Sequence, residues 1–259
     1  MQELPYHLDR TVVIHAKPET VFRFFTDSAR WASWWGAGST IDPKPGGKVY
    51  IRHANGIESA GKVEEVQPGE KIVFTYGFVS GKPIPAGSSR VTIRLEPVDA
   101  GTRLHLVHEF AEAGPRDEHV QGWRFQLSLF SNVVANEVFA DAARTVDAWY
   151  EAWTITDASA RDEALNRIVS PAIRFHDRFS LLDGIADLTA HIAAAQRFMP
   201  GIRLARKGDV RHCQGSVLAD WVAADATGQP RMSGSSVLVF RPDGTIDSVT
   251  SFTNPQTPS

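Results

Sequence analysis

The sequence predicts an α+β protein: a curved antiparallel sheet wrapped around one long helix, followed by a second unit shaped as an α+β cone. Three observations support this prediction. The stretch His119–Glu137 repeats apolar residues at alternating steps of three and four, which is typical of one helix face. The segment before it alternates as strands do, with turn signals between the strands. From Val138 the pattern restarts as three helical segments followed by strands.

The bulk composition is that of a two-domain globular protein. A chain of 259 residues is long for one domain, and its net charge of -3 provides no basic surface. We therefore expect no nucleic-acid partner and no membrane partner. Cys213 is the only cysteine, which excludes an intrachain disulfide, and we expect it to be a buried thiol. No run of about 18 apolar residues and no signal-peptide pattern is present, so a cytoplasmic location is expected.

The first unit begins with a strand and two short helices. Residues 11–16 alternate as a strand does, and Pro18 then opens a helix. The segment DSARWASWW predicts a second short helix that ends at Gly36.

A ladder of strands follows these helices. The predicted strands are KVYIRH, IESAGKVEEV, KIVFTYGF, RVTIRLE and TRLHLVHE, separated by turn signals such as Asn55-Gly56. The long helix comes next, and Asp117 and Glu118 after Pro115 suit its start.

The second unit is predicted to begin near Asp141. Its helices are FADAARTVDAWYEAWTITD, SARDEALNRIVSPA, which we expect to end at Ser170-Pro171, and IADLTAHIAAAQRF. A short strand, Ile173–Phe175, lies between the last two helices. The predicted strands of the antiparallel sheet are IRLARKG, VRHCQGSVLADWVAAD, RMSGSSVLVF and TIDSVTSFTN.

Residues 8–139 resemble a known family. The order of elements, Pro18–Phe22, Trp34-Trp35-Gly36, the Pro45-Gly46-Gly47 turn and the HVQGW start of the last helix are similar to the AHSA1-like branch of the START/Bet v 1-like (SRPBCC) superfamily. The resemblance implies a helix-grip fold with a cavity between the sheet and the long helix. It does not imply activation of Hsp90, because the activator's separate Hsp90-binding domain has no counterpart in this sequence.

Residues 141–254 resemble the NTF2-like superfamily, in particular its SnoaL-like branch. The similarity lies in Trp149–Asp157, Ile173–Asp177 and the ending VLVFRPDGTI. Compared with ketosteroid isomerase, another NTF2-like enzyme, Asp177 falls at the catalytic base, whereas Trp149 and a residue near Ser236 fall where the oxyanion donors belong. The loss of both donors argues against that isomerase mechanism. The SnoaL-like resemblance implies only an acid/base pair in a shaped pocket.

Candidate site residues follow from these patterns. Asp177, His176, His212 and Asp220 are the candidate acid/base residues, although Asp177 could instead end a strand and cap the next loop. In the first unit, the predicted pocket residues are Trp34, Tyr50, Arg52, Glu58, Tyr76, His105, Trp123 and Phe130. In the second unit, they are Trp149, Trp153, Trp221 and Ser236. The aromatic residues among them could instead be ordinary core. We expect no metal and no cofactor, since His105 and His108 face opposite sides of one strand and the remaining histidines are dispersed.

Three functions remain open. The leading hypothesis is a binder of an apolar or aromatic small molecule in one or both pockets. The second is an acid/base enzyme (cyclase, isomerase or hydrolase) that uses Asp177 with a histidine. The third is a chaperone-linked or dimeric interaction module, with a homodimer formed through the NTF2-like sheet.

Overall fold

The computed structural model describes residues 3–255 and divides the chain into two compact units that meet between Ala135 and Asn136. The α+β class predicted from the sequence is confirmed, since each unit combines one sheet with a small set of helices. The predicted domain limits, 8–139 and 141–254, stay a prediction.

The first unit contains one seven-stranded sheet and three helices. Its elements are β1 (Tyr6–Ile14), α1 (Pro18–Arg23), α2 (Ser28–Trp35), β2 (Thr40–Ile41), β3 (Lys48–Arg52), β4 (Glu58–Gln67), β5 (Lys71–Tyr76), β6 (Ser89–Val98), β7 (Gly101–Phe110) and α3 (Ala113–Val138). The strand order is β1-β7-β6-β5-β4-β3-β2, and all pairings are antiparallel. Only the first pairing joins strands distant in sequence, so the sheet is a meander to which the N-terminal strand returns.

Helix α3 begins earlier than predicted. Its first residue is Ala113, so Pro115 lies within the first turn rather than before it. A proline is tolerated there because the first N–H groups of a helix have no partner inside the helix. Four residues of the predicted apolar stripe, Trp123, Leu127, Phe130 and Val134, are each at most 4% exposed, whereas the fifth, Val120, is half-buried.

The second unit pairs three helices with a six-stranded sheet. Its elements are α4 (Ala142–Ala152), α5 (Ala158–Ile168), β8 (Val169–His176), β9 (Leu181–Asp183), α6 (Ile185–Phe198), β10 (Arg203–Cys213), β11 (Ser216–Ala224), β12 (Pro230–Phe240) and β13 (Ile246–Thr253). The strand order is β10-β11-β12-β13-β8-β9. The β13–β8 pairing is parallel, so the sheet is mixed rather than purely antiparallel as predicted.

Three local predictions in this unit were wrong. Pro171 does not end a helix but lies inside β8, where the ladder to β13 is interrupted and no N–H is required. The segment VRHCQGSVLADWVAAD is two strands, because Gln214 and Gly215 both take a positive φ and form a two-residue hairpin turn. Cys213 is exposed rather than buried, since it ends β10 beside that turn.

We expect two phenylalanines of α3 to differ sharply in their effect on stability. Phe130 is fully buried against Phe24, Phe25 and Trp34, so Phe130→Ala should cost about 3–5 kcal/mol. Phe125 is 69% exposed on the same helix, and Phe125→Ala should change the free energy of unfolding by no more than about 0.5 kcal/mol. Native-state hydrogen exchange of the α3 amides measures both. Equal losses would mean that Phe130 is not the centre of this core.

Candidate functional site

The first unit has a partly open cavity of about 630 Å³ between α3 and the sheet. Its walls come from α2, the β3–β4 hairpin, the end of β5 with the residues after it, and α3. The lining residues are Trp34, Trp35, His53, Ala54, Asn55, Ile57, Tyr76, Phe78, Pro83, Glu118, His119, Gly122, Trp123, Phe125, Gln126 and Leu129. The volume lies within the range of roughly 300–1,000 Å³ that is usual for small-molecule sites.

Helix α2 carries Trp34 and Trp35, which form one wall of this cavity. Asp27 caps the helix by accepting a hydrogen bond from the Arg30 N–H at 2.9 Å. The helix ends at Gly36, where a Cβ atom would lie 2.2 Å from the Arg52 carbonyl oxygen, so only glycine permits this close approach to β3. That contact fixes Trp34 and Trp35 against the cavity.

The indole N–H groups of this unit differ in their partners. Trp31 Nε1 donates to the Tyr50 carbonyl at 3.2 Å, and Trp34 Nε1 donates to the Phe24 carbonyl at 3.4 Å. Trp123 Nε1 donates to His108 Nδ1 at 2.9 Å. Trp35 Nε1 is buried and has no hydrogen-bond partner among residues 3–255.

A directed chain of hydrogen bonds ties α3 to the sheet. Because His108 Nδ1 accepts from the Trp123 indole, the proton of the neutral ring lies on Nε2, which donates to Ser89 Oγ at 2.8 Å. Ser89 Oγ then donates to the Tyr76 carbonyl at 2.8 Å. Burial lowers the pKa of His108 well below its ordinary value, and the neighbouring His119 adds to this effect. His108 is therefore held as a neutral, fully hydrogen-bonded ring.

His119 has the opposite tautomer. Its Nδ1 lies 2.7 Å from the Pro115 carbonyl oxygen, which can only accept, so Nδ1 carries the proton and Nε2 has a free lone pair. His119 Nε2 is buried and has no partner in the described part of the chain. Burial lowers the pKa of His119, so the ring is a hydrogen-bond acceptor at neutral pH rather than a cation.

His53 completes the polar side of the cavity. Its Nε2 lies 3.0 Å from Ser59 Oγ, and that hydroxyl lies 3.1 Å from Tyr76 Oη. Burial and the proximity of His119 lower the pKa of His53, and burial raises the pKa of Tyr76 to about 12. At neutral pH this group of side chains is therefore uncharged.

The predicted pocket residues of the first unit separate into three groups. Trp34, Tyr76 and Trp123 line the cavity. Phe130 belongs to the core behind it. The structure does not bring the remaining four to the cavity; they are Tyr50, Arg52, Glu58 and His105.

These four residues lie on the outer face of the sheet. Val49 and Ile51 take the buried side of β3, which turns Tyr50 and Arg52 outward. Tyr50 Oη donates to Glu58 Oε1 at 2.6 Å on that face. His105 lies 3.3 Å from Asp9 on the outside of β7, whereas its strand neighbour His108 points inward.

A second cavity, of about 340 Å³, lies inside the second unit. It is bounded by α4, α6 and the inner face of the sheet. Its lining residues are Trp149, Tyr150, Trp153, Phe175, Asp177, Phe179, Ala195, Gln196, Met199, Ile202, Leu204, Trp221, Ala223, Met232, Ser236, Ser251 and Thr253. The predicted residues Trp149, Trp153, Trp221, Ser236 and Asp177 are all in this set.

Tyr150 is the most perturbed acid of this cavity. Burial raises the pKa of its phenol to about 12, an effect partly opposed by the nearby Ser236 hydroxyl. Within residues 3–255, its hydroxyl has no hydrogen bond of normal geometry, and neither do the indole N–H groups of Trp153 and Trp221. Three residues that line this cavity therefore carry buried donors without an acceptor in the described part of the chain.

The four candidate acid/base residues are not brought together. Asp177 follows β8 and accepts a hydrogen bond from the Phe179 N–H at 2.8 Å, as the capping interpretation expected, while it also lines the cavity. His176 shares with Asp177 a separate groove beside the end of β13. His212 hydrogen-bonds Asn136 at 3.0 Å, and Asp220 accepts from Ser235 at 2.6 Å. Neither His212 nor Asp220 lines the cavity.

Sequence reasoning missed four residues that line the first cavity: Trp35, His53, His119 and Gly122. A usable signal existed for one pair, because His119 and Trp123 are four apart on α3 and so share a helix face. No such signal marks Trp35. It differs from Trp34 only because its indole N–H has no backbone carbonyl to which it can donate, and the sequence does not show this.

The described residues form neither a metal site nor a membrane-spanning helix. No group of three or more His, Cys, Asp or Glu side chains in residues 3–255 is placed to hold a metal ion. No helix in that range is long and apolar enough to cross a membrane.

Comparison with known proteins agrees with the fold of the first unit. Residues 15–135, less than half of the chain, match the family model described as "Activator of Hsp90 ATPase homolog 1-like protein". No curated protein matches the chain.

Similar solved structures cover about half of this chain each. A SnoaL-like family protein from Agrobacterium tumefaciens is 21% identical, covering 43% of this chain and 96% of its own, with a TM-score of 0.42. The Aha1 dimer from Colwellia psychrerythraea is 17% identical, and the match covers 47% of this chain and 90% of that chain, with a TM-score of 0.41. A Chromobacterium violaceum protein is 29% identical, and the match covers 49% of this chain and 96% of that chain, with a TM-score of 0.40. These values carry no information about ligand or activity.

We expect acid to destabilise the first unit through His108. Its pKa is lowered on folding, so below the ordinary value of 6.5 the unfolded chain binds the proton more readily and stability falls as pH falls. A fully depressed histidine contributes a slope of about 1.4 kcal/mol per pH unit in that window. His108→Gln can keep an acceptor and a donor but cannot titrate, and should flatten the profile. Urea titrations between pH 7.5 and 5 measure it, and an unchanged slope in the variant would contradict the assignment.

Proposed function

We propose that this protein binds a neutral apolar or aromatic small molecule in the cavity of its first unit. The observation that carries the proposal is the cavity of about 630 Å³, walled by aromatic side chains between the sheet and α3. The two histidines of the lining, His53 and His119, have lowered pKa values and are neutral at neutral pH, so they do not require a charged ligand. The AHSA1-like match of residues 15–135 fits a fold that encloses such a cavity.

The charge of the lining supports a neutral ligand. Glu118 is the one formally charged side chain among the lining residues, and the lining includes no lysine or arginine. A carboxylate or phosphate ligand would therefore be buried without a cation to pair it, which is strongly unfavourable.

Gly122 supports a binding role for this space. It lies in the middle of α3 and lines the cavity, and a Cβ atom placed there would have no heavy atom within 4 Å. Glycine costs a helix interior about 1 kcal/mol relative to alanine, and no steric contact requires it at this position. The absence of a side chain keeps that part of the cavity open.

Filling the cavity from Gly122 should separate binding from stability. Gly122→Leu should raise helix stability and reduce the affinity for 2-naphthol, a neutral bicyclic probe, by at least tenfold, because the new side chain occupies the ligand's space. Gly114→Leu is the matched control, since Gly114 lies in the first turn of α3, also in open space, and does not line the cavity. Calorimetric titration measures the affinity. Equal affinity in wild type and Gly122→Leu would locate binding elsewhere.

The second candidate function is acid/base catalysis in the second unit. It is favoured by one observation, that Asp177 borders an aromatic cavity whose buried donors have no acceptor. Such donors would stabilise an oxyanion that forms when a carboxylate removes a proton next to a carbonyl. The histidine partner originally expected for Asp177 is not part of that lining.

Asp177→Asn tests this candidate. The amide can still accept the hydrogen bond from the Phe179 N–H, so the loop should keep its shape, but it cannot act as a base. If Asp177 is the base, the protein should accelerate exchange of the α-protons of 2-tetralone with deuterated water, and the variant should lose at least a hundredfold. Asp183→Asn, on β9, is the control. Nuclear magnetic resonance follows the exchange, and no acceleration by the wild type would remove this candidate.

The remaining expectations stay proposals. They are a cytoplasmic location, two domains at 8–139 and 141–254 with an NTF2-like second domain, and a homodimer formed through its sheet. Sedimentation at high concentration tests the dimer, and a strict monomer would defeat it.

A further inference from the structure

We propose that the first cavity selects a planar aromatic ligand carrying both a hydrogen-bond acceptor, for Trp35 Nε1–H, and a hydroxyl or N–H donor, for His119 Nε2. This inference rests on the proposed function and names the chemical class of the ligand. Neutral hydroxylated aromatic carbonyl compounds have both groups on one flat frame.

The first step is that the cavity's unpaired polar atoms are exceptions within their own unit. Three of its four indoles, those of Trp31, Trp34 and Trp123, donate to a protein acceptor. Trp35 does not, although it is only 7% exposed. Folded proteins satisfy nearly all buried polar groups, so an indole N–H left unpaired beside a cavity indicates a partner supplied by the cavity's occupant.

The second step is that the free atom of His119 is an acceptor. The Pro115 carbonyl fixes the proton on Nδ1, which leaves a lone pair on Nε2. Its surroundings are the rings of Tyr76, Phe78 and Phe110, with centroid distances of 5.9, 5.8 and 4.9 Å, so the occupant must supply the donor on an aromatic or apolar frame.

The third step is that the two residues that carry these atoms line one cavity. Trp123 lies one helical turn after His119 on α3, and its ring is 5.7 Å from that of Trp35. Both residues line the same cavity. A rigid bicyclic compound with two polar groups would lose less conformational entropy on binding than a flexible acyl chain.

Three probes of similar size separate the two contacts. The compound 7-hydroxycoumarin has both a hydroxyl and a carbonyl, 7-methylcoumarin has only the carbonyl, and 2-naphthol has only the hydroxyl. Below the ionisation of the hydroxyl, the wild-type protein should bind 7-hydroxycoumarin about three- to tenfold more tightly than either of the others, the usual worth of one net hydrogen bond. Calorimetric titration gives all three affinities.

Two variants assign the contacts. Trp35→Phe should weaken both coumarins about three- to tenfold and leave 2-naphthol unchanged, since only the donor to a carbonyl is lost. His119→Phe should weaken both hydroxyl compounds and leave 7-methylcoumarin unchanged. Trp34→Phe is the matched control, because that indole also lines the cavity but donates to the Phe24 carbonyl, and it should preserve the order of affinities.

The outcomes are distinct. Equal wild-type affinities for the three probes, or a uniform loss across them in each variant, would overturn this inference while leaving cavity binding intact. The three probe affinities are first compared in the wild-type protein. The inference therefore remains testable even if a variant fails to fold. Failure of all three probes to bind would overturn the proposed function itself, and the inference with it.

Discussion

The hydrogen bond from the Trp123 indole to His108 is the contact on which the organisation of the first unit depends. It joins α3 to the inner face of the sheet. The His108 ring then hydrogen-bonds Ser89, and the Ser89 hydroxyl donates to the Tyr76 carbonyl at the end of β5. Because each donor in this chain has one acceptor, the rings cannot rotate or slide without losing a buried hydrogen bond. The cavity lies beside this connection, and Trp123 and Tyr76 are among its lining residues.

Two neighbouring histidines illustrate how local partners determine the chemistry of one side chain. His108 and His119 have ring centroids 5.2 Å apart, yet one presents a protonated Nε2 and the other a bare Nε2. The difference comes from an indole donor in the first case and a backbone carbonyl acceptor in the second. Both ring nitrogens of His108 are hydrogen-bonded within the protein, whereas Nε2 of His119 has no partner in the described part of the chain. The second unit uses its tryptophans differently, since two of its indoles and a tyrosine remain without acceptors around a smaller cavity.

The sequence was sufficient for the architecture and for part of the site. The apolar stripe of α3 and the strand alternation predicted both the helix and the sheet that covers it. Three of the pocket residues named from the sequence, Trp34, Tyr76 and Trp123, line the cavity. Alternation alone could not decide which face of β3 is inward, since Tyr50 and Ile51 are both reasonable core residues. Tyr50 therefore had to be distinguished by the contacts of β3 with the rest of the sheet. The exposure of Cys213 and the strand position of Pro171 depended on hairpin and ladder geometry that pairs distant segments, which a local pattern does not contain.

On the proposed binding role, the space left open at Gly122 would also couple ligand occupancy to the lifetime of the protein. A space that the empty protein leaves unfilled contributes no dispersion energy, so the folded state gains contacts when a ligand enters. Binding to the folded state alone raises the free energy of unfolding in proportion to the logarithm of ligand concentration. Proteases that cleave transiently opened chains would then remove the empty form faster than the filled one. An abundant ligand would in this way increase the amount of its own binding protein without any change in the rate of synthesis.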